Sequence, residues 1–337
     1  MIREIYIVDG GSYSGGGEAM FQLGCDLIER GYGVSVIDMR KENQKLPAKF
    51  EKYMKQGLRY CNPTDVVDAS SSVIISPESG TEYLFRYKQA RKMIYWLSYE
   101  FYDGKFFWNS ANTFFGGLKE SFWSNCRRLL HFLRNIVKYG HIRFPVRKAV
   151  NLSGSHFTSN MLKKHGISSV PLVHSIGVDF LNAGMYDSIA DRENIVLYNP
   201  AKPSRLTKKL VKRNEFTYIP IQSLSVNQML ELFRKSKVYI DFGNFPGPER
   251  LPKETVYNGV NVLVWTLHAA ATDDVLIPSK YKLSTHVSVR VAEETIADML
   301  DHYSEQNKDF DEFRTMVQGM EKRYYEQLDQ ICANYLQ

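Results

Sequence analysis

Short β-branched runs alternate with helix-like segments along this chain, and the pattern runs through twice. In the first half the runs are EIYIVD (4–9), GVSVID (33–38), SSVIIS (71–76), KMIYWL (92–97) and AVNLS (149–153). Helical spacing falls between them at about 17–30, 81–91, 118–138 and 155–164. The second series is NIVLYN (194–199), FTYIP (216–220), KVYIDF (237–242), NVLVW (261–265) and VSVRV (287–291), with helices near 205–212, 225–235, 253–257 and 292–302. Parallel strands need long crossover connections, and helices supply them, so each series predicts an α/β unit with a parallel sheet covered on both faces. At 337 residues the chain also exceeds what one core ordinarily supports. Two tandem Rossmann-like domains are expected, 1–175 and 176–308, with Gly177 near the hinge. A final helix, 309–337, is expected to pack back toward the first domain.

With 44% hydrophobic and 24% charged residues, the composition is that of an ordinary globular protein and excludes a disordered or fibrous one. Cys25, Cys61, Cys126 and Cys332 are scattered, without a CxxC pair, which argues against a structural zinc site and for a reducing compartment. The first residues, MIREIYIVDGG, have too short an apolar run for a signal peptide. The longest uncharged stretch, Thr255 to Thr272, contains Asn258, Gly259, Asn261 and His268, and reads as a buried strand and loop. A cytoplasmic location is expected.

Tandem doubly wound domains bind ligands at the carboxyl ends of their strands, in the cleft where they face each other, so the loops after strands carry the search. After the first strand comes a glycine loop with Gly11, Gly15, Gly16 and Gly17, and the second strand ends in Asp38. Gly11, Gly15 and Gly17 fit the GxxxGxG spacing of short-chain dehydrogenases, with Asp38 as a ribose ligand; this is one enzymatic reading. Its weakness is the companion YxxxK pair, which occurs only at Tyr198 and Lys202, where Pro200 opposes a helix. The same glycines also serve any tight turn that packs a helix on a sheet.

The second unit is more specific. NPAKPSRLTKK places Lys202, Arg205 and Lys208 just after a strand and around a helix start, where cations and free amides can converge on a diphosphate. A stiff charged loop, DFGNFPGPERLPKETVYNGV (241–260), follows a later strand. In Gly243, Pro246, Gly247 and Pro248 it has residues that hold one shape at little entropic cost. This order of features resembles the GT-B glycosyltransferases, above all the nucleotide-sugar-binding half of the family-four type. The resemblance extends coarsely to NLSGSHFTSNMLKKHGI and PLVHSIGVD, which look like the end of the acceptor domain and the linker. It implies that Lys202, Arg205 and Lys208 hold the donor diphosphate. The rest of the donor site would be Gly243, Glu249, Arg250, Glu254 and Thr255, with Glu254 on the ribose and Gly15, Gly16 and Gly17 forming the acceptor-side loop.

Two departures from the family pattern stand out. The family has two glutamates with seven residues between them, and the first would fall on Pro246. Glu249 or Asp241 takes its place, or the sugar is held differently. After its fourth strand the first domain of the family often carries a His, whereas YWLSYEFYDG offers Glu100 and Asp103. An inverting enzyme needs a carboxylate or His there to take the acceptor proton; a retaining one relies on the donor phosphate and backbone dipoles. Glu100, Asp103 and Glu249 are therefore the catalytic candidates, and retention or inversion stays open. No carboxylate pair forms a convincing metal loop, and the family neutralises the leaving diphosphate with protein cations, so neither metal nor cofactor is expected beyond the nucleoside-diphosphate sugar.

Of the chain's net charge of +6, the stretch Lys119 to Lys148 alone carries +7. Within it Phe122, Cys126, Leu129, Leu133 and Ile136 keep helical spacing for packing, and Arg127, His131, Arg134 and Lys138 form a separate stripe. Such a stripe fits anionic lipid headgroups or an acidic acceptor, or is simply a solvated face. Nucleic acid fits poorly, because the rest of the chain is nearly neutral and no recognition module is present. The expected function is transfer of a sugar from a nucleotide donor to a glycan or lipid-linked acceptor in surface polysaccharide or glycoconjugate assembly. The alternatives are an NAD(P)-dependent oxidoreductase, or a degenerate GT-B fold that binds a glycan or partner without turnover.

Overall fold

The computed structural model describes residues 2, 4–11, 14–40, 45–102, 126, 129, 130, 133, 134, 137, 146–186, 188–201 and 204–337. The chain divides into two compact units, Met1–Leu172 with Gln327–Gln337, and Val173–Glu326.

Unit 1 is built on seven parallel strands, β1 (Glu4–Asp9), β2 (Gly33–Asp38), β3 (Arg59–Cys61), β4 (Ser72–Pro77), β5 (Arg91–Trp96), β6 (Val150–Ser153) and β7 (Val170–Pro171). Their order in the sheet is β3-β2-β1-β4-β5-β6-β7. Consecutive residues of the central strands are buried, among them Ile5, Ile7, Val73, Ile74, Met93 and Ile94, as a sheet covered on both faces requires. The helix Gly15–Glu29 lies close on β1: a Cβ at Gly24 would come within 2.9 Å of Ile7 and 2.8 Å of Leu58.

Unit 2 has five parallel strands, β8 (Glu193–Tyr198), β9 (Thr217–Pro220), β10 (Ser236–Asp241), β11 (Asn261–Trp265) and β12 (Lys282–Leu283), in the order β12-β11-β10-β8-β9. In each sheet the order reverses beside the first strand of the unit, between β1 and β4 and between β8 and β10. The carboxyl ends of those pairs are where a doubly wound sheet offers a crevice.

Several elements differ from the sequence reading. VSVRV is not a strand: Ser288 caps a helix, Val289–Asp301, by accepting the Val291 amide at 3.2 Å, and Ala292, Ile296, Met299 and Leu300 are its buried side. The helical spacing at 81–91 resolves into a 3-10 helix, Glu78–Arg86, kinked at Gly80, then a four-residue connection, 87–90, and the start of β5 at Arg91. The short strands β3 and β7 have no clear alternation to announce them. Of the basic segment, Cys126, Leu129, Leu130, Leu133, Arg134 and Val137 are described and helical. Leu133, expected on a packing face, is 46% exposed.

Candidate functional site

In unit 2 the strand β8 leads to the helix Arg205–Arg213. Ser204 caps it, its hydroxyl accepting the Thr207 amide at 3.0 Å, which leaves the remaining amides of the first turn for a ligand. Arg205 and Lys208 are exposed there. Lys202, expected beside them, lies outside the described residues.

The loop after β10 is largely interior. Phe242, Gly243, Phe245, Pro246 and Gly247 are all buried. Asp241 shapes its start: one carboxylate oxygen accepts the Gly243 amide at 2.9 Å and the other the Tyr239 hydroxyl at 2.8 Å. Both oxygens are thus engaged in local structure, which counts against Asp241 as a substitute for the missing glutamate. Tyr239 is fully buried, and burial, then the adjacent Asp241, then Glu249 and Glu254 push its hydroxyl pKa well up. The carboxylates of Asp241, Glu249 and Glu254 thus all lie within electrostatic range of the Tyr239 hydroxyl near the carboxyl end of β10.

Pro252 opens the helix Leu251–Tyr257, which carries the charges onward. Glu254 is buried, its amide bonding Arg250 O at 2.9 Å, so it stands inside the first turn rather than at a cap. One of its carboxylate oxygens accepts the Gly177 amide in a long contact of 3.4 Å. Arg250 points at His174, Nη2 to Nε2 at 3.1 Å. Thr255 does not present its hydroxyl to a ligand. It is fully buried, and its Oγ1 donates back to the carbonyls of Leu251 and Pro252, at 2.8 and 3.1 Å.

Lys253, which the sequence reading passed over, is 3% exposed and donates from Nζ to His174 O at 3.2 Å. Burial pulls its ammonium down to about 8; the nearby Asp274, Glu249 and Glu254 resist that shift, and Arg250 adds to it. Carboxylates interleaved with cations in a dry setting suit a polyhydroxyl ligand, whose hydroxyls donate to one set and accept from the other.

In unit 1, Gly15, Gly16 and Gly17 are the first turn of the helix after β1. Gly16 faces Leu97, whose Cδ1 would lie 3.5 Å from a Cβ there, so the loop packs against the segment after β5. Asp38 is taken up by Arg40, with bonds of 2.8 and 2.6 Å, and that pairing holds its carboxyl below the usual range. The carboxylate that the dehydrogenase reading assigns to a ribose is paired inside the protein, and Tyr198 of its YxxxK pair lies in β8, not on a helix. Glu100 is half-buried in the turn Tyr99–Phe101, next to a Tyr99 hydroxyl bonded to His165 Nε2 at 2.8 Å. That turn follows the fifth strand. The fourth, β4, ends at Pro77 and delivers a different carboxylate, the buried Glu78, whose Oε2 accepts the Leu97 amide at 2.9 Å. The miscount arose because β3, only three residues long, carries no readable alternation. Asp103, Arg127, His131 and Lys138 lie outside the described residues; Arg134 is exposed. Among the described residues no group of three or more His, Cys, Asp or Glu could hold a metal ion, and no helix is long and apolar enough to cross a membrane.

The sequence matches no family model and no curated protein. Solved structures match it nearly end to end. HepE of Anabaena in complex with UDP is 10% identical, with 98% of this chain and 99% of that one covered and a TM-score of 0.62. The same protein with UDP-glucose gives 9%, 98%, 99% and 0.63. A glycosyltransferase from Rickettsia africae is 10% identical over 99% of both chains, with a TM-score of 0.61. Sucrose-phosphate synthase from Thermosynechococcus elongatus is 12% identical over 97% of this chain and 94% of its own, at 0.54. Two parallel α/β units in tandem, each reversing strand order beside its first strand and matched along their length by these proteins, give this chain the GT-B glycosyltransferase fold.

Proposed function

We propose that the chain is a glycosyltransferase that moves a sugar from a nucleoside-diphosphate donor to a glycan or lipid-linked acceptor, in surface polysaccharide or glycoconjugate assembly. The observation that carries this reading is the cluster of Asp241, Glu249, Glu254, Arg250 and Lys253 at the carboxyl end of β10, beside the strand-order reversal of a unit whose fold matches HepE in its UDP complexes. In this reading Arg205 and Lys202, with the amides at the Ser204 end of the helix Arg205–Arg213, offset the charge of the departing diphosphate. Glu254 accepts hydrogen bonds from ribose hydroxyls, and Glu249 stands toward the sugar. The acceptor oxygen attacks the anomeric carbon as the bond to the diphosphate breaks, and Glu100 or Asp103 takes the acceptor proton if the configuration inverts. No metal is called for, since protein cations face the leaving group.

A thermal-shift and nucleotide-release screen against a panel of nucleotide sugars tests the proposal. One donor should raise the melting temperature and release its nucleotide diphosphate over time. Replacing Arg205 with Ala should then cost on the order of 2 to 4 kcal/mol of transition-state stabilisation. A panel with no stabilising donor, or turnover in the Arg205 variant within about twofold of wild type, speaks against the assignment.

A second feature favours attachment to the inner face of an anionic membrane. Leu130, Leu133 and Val137, spaced along one helical stripe, are 67%, 46% and 87% exposed, with the exposed Arg134 among them. Apolar side chains flanked by basic ones are what an interfacial helix presents to lipid.

A further inference from the structure

Lys253 poses a physical question. Burying an ammonium costs several kcal/mol unless partners repay it, and a methionine would fill similar space at no such cost. The ammonium does have one specific use: it holds the carbonyl of His174 at 3.2 Å. Arg250, one turn earlier, holds the ring of the same residue, and because a guanidinium only donates, Nε2 of His174 must accept. Three residues on, the amide of Gly177 meets the carboxylate of Glu254. His174 and Gly177 bracket one short segment, so the helix Leu251–Tyr257 and the residue before it grip that segment at both ends. These pairs lie 76 to 79 positions apart in the chain.

We infer that Arg250 and Lys253 are positioning residues that clasp the segment 174–177 through His174, so that the Gly177 amide sets the carboxylate of Glu254 in its ligand-binding orientation. The inference rests on the reading of Glu254 as a donor ligand, and it moves Arg250 out of direct donor contact. The clasp is a matter of backbone placement: Lys253 reaches a carbonyl, so nothing about the side chain of His174 substitutes for it. Gly177 sits at the N-cap of the helix Val178–Asn182, where its amide points back toward Glu254. Glu254 holds its place through that amide, and a carboxylate whose orientation is set before the ligand arrives loses less freedom on binding.

The test uses the full chain and the variants K253M, R250M, E254Q and K253M/E254Q. Hydrogen exchange in the free protein reports the clasp: K253M or R250M should speed exchange at 175–178 by about tenfold or more, with β8, β10 and β11 unchanged. Isothermal titration reports the consequence, with UDP, GDP, ADP and dTDP tried on wild type and the tightest retained. K253M should weaken that nucleotide about tenfold, and K253M/E254Q should bind within about twofold of E254Q alone, because both changes remove one shared interaction. Unchanged exchange in both clasp variants, or losses that multiply in the double variant, would overturn the inference while leaving Glu254 a ligand. If E254Q binds as tightly as wild type, or if none of the four nucleotides binds, the donor-site reading itself fails and takes the inference with it.

Discussion

Lys253 is the residue where stability and use conflict most openly. An unfolded lysine titrates near 10.5, and burial brings this one to about 8 in the folded protein. Between those values the unfolded chain holds a proton that the folded one has released, so stability rises with pH across that window, and below it the folded state carries a constant penalty of about 3 kcal/mol. K253M removes the penalty. The free variant should be more stable than wild type at pH 7 in chemical denaturation, with a flatter dependence between pH 8 and 10, even as exchange at 175–178 speeds up. A variant that is less stable at pH 7 would mean that the bond to His174 outweighs the burial. At this scale the sequence was legible only in part. Glu254 is identifiable because ETVYNGVNVLV resembles a known pattern, and it lies in the buried cluster at β10. Lys253 and His174 are not identifiable, since a bond between positions 79 apart leaves no periodicity to read. Thr255 reads in the sequence as a donor contact because a hydroxyl beside the proposed ribose ligand looks available, and in the structure that hydroxyl bonds back into its own helix.

Elements are held at their ends by Arg192, which is 8% exposed. Its guanidinium donates to Phe233 O and Ser236 O, where one helix gives way to β10, to Asn258 O just past Leu251–Tyr257, and to Ser188 O, at 2.7 to 2.9 Å. The carbonyls at a helix C-terminus have no partner within the helix, and here one side chain supplies them. Gly259 permits the approach: at φ +79 a side chain there would be strained, and its Cβ would collide with that guanidinium. Lysine can reach at most three acceptors from a single nitrogen, so R192K should orphan at least one buried carbonyl and cost about 1 to 3 kcal/mol for each, measured by denaturation. The basic segment bears a second prediction at the scale of an element. Reversing Arg127 and Arg134 to Glu should weaken binding to phosphatidylserine vesicles while sparing donor affinity, since each basic residue near such a surface is worth about 1 kcal/mol. Wild type that ignores the vesicles at low salt would assign the stripe another purpose. Legibility here followed length. The long strands and the capped helix at Ser225 are plain in the sequence, whereas the alternating valines at 287, 289 and 291 read as a strand because the serine cap between them and the apolar spacing beyond them count only once the helix is formed.

At the scale of the whole molecule, the alternation of strands and helices made two parallel α/β units readable, because crossover connections leave few other arrangements. The membership of each unit was harder to read, since it depends on contacts between the two ends of the sequence. Unit 1 is completed by Gln327–Gln337. In that segment Leu328, Ile331 and Leu336 are buried, and Asp329 accepts from Arg30 Nε at 2.8 Å. Each such side chain contributes about 1.5 to 3 kcal/mol on burial, so together they rival the net stability of a typical domain. Deleting 327–337 should therefore leave unit 1 unfolded or molten while the strands of unit 2 keep their exchange protection. A truncated chain that melts like wild type would show those contacts to be dispensable. The same arrangement sets an order of events in the cell. Domains ordinarily fold from the N-terminus onward during synthesis, yet the ribosome finishes all of unit 2, a continuous segment, before it makes the residues that close unit 1. The half of the protein translated first is the half completed last, and until then it lacks the apolar cover that Leu328, Ile331 and Leu336 supply.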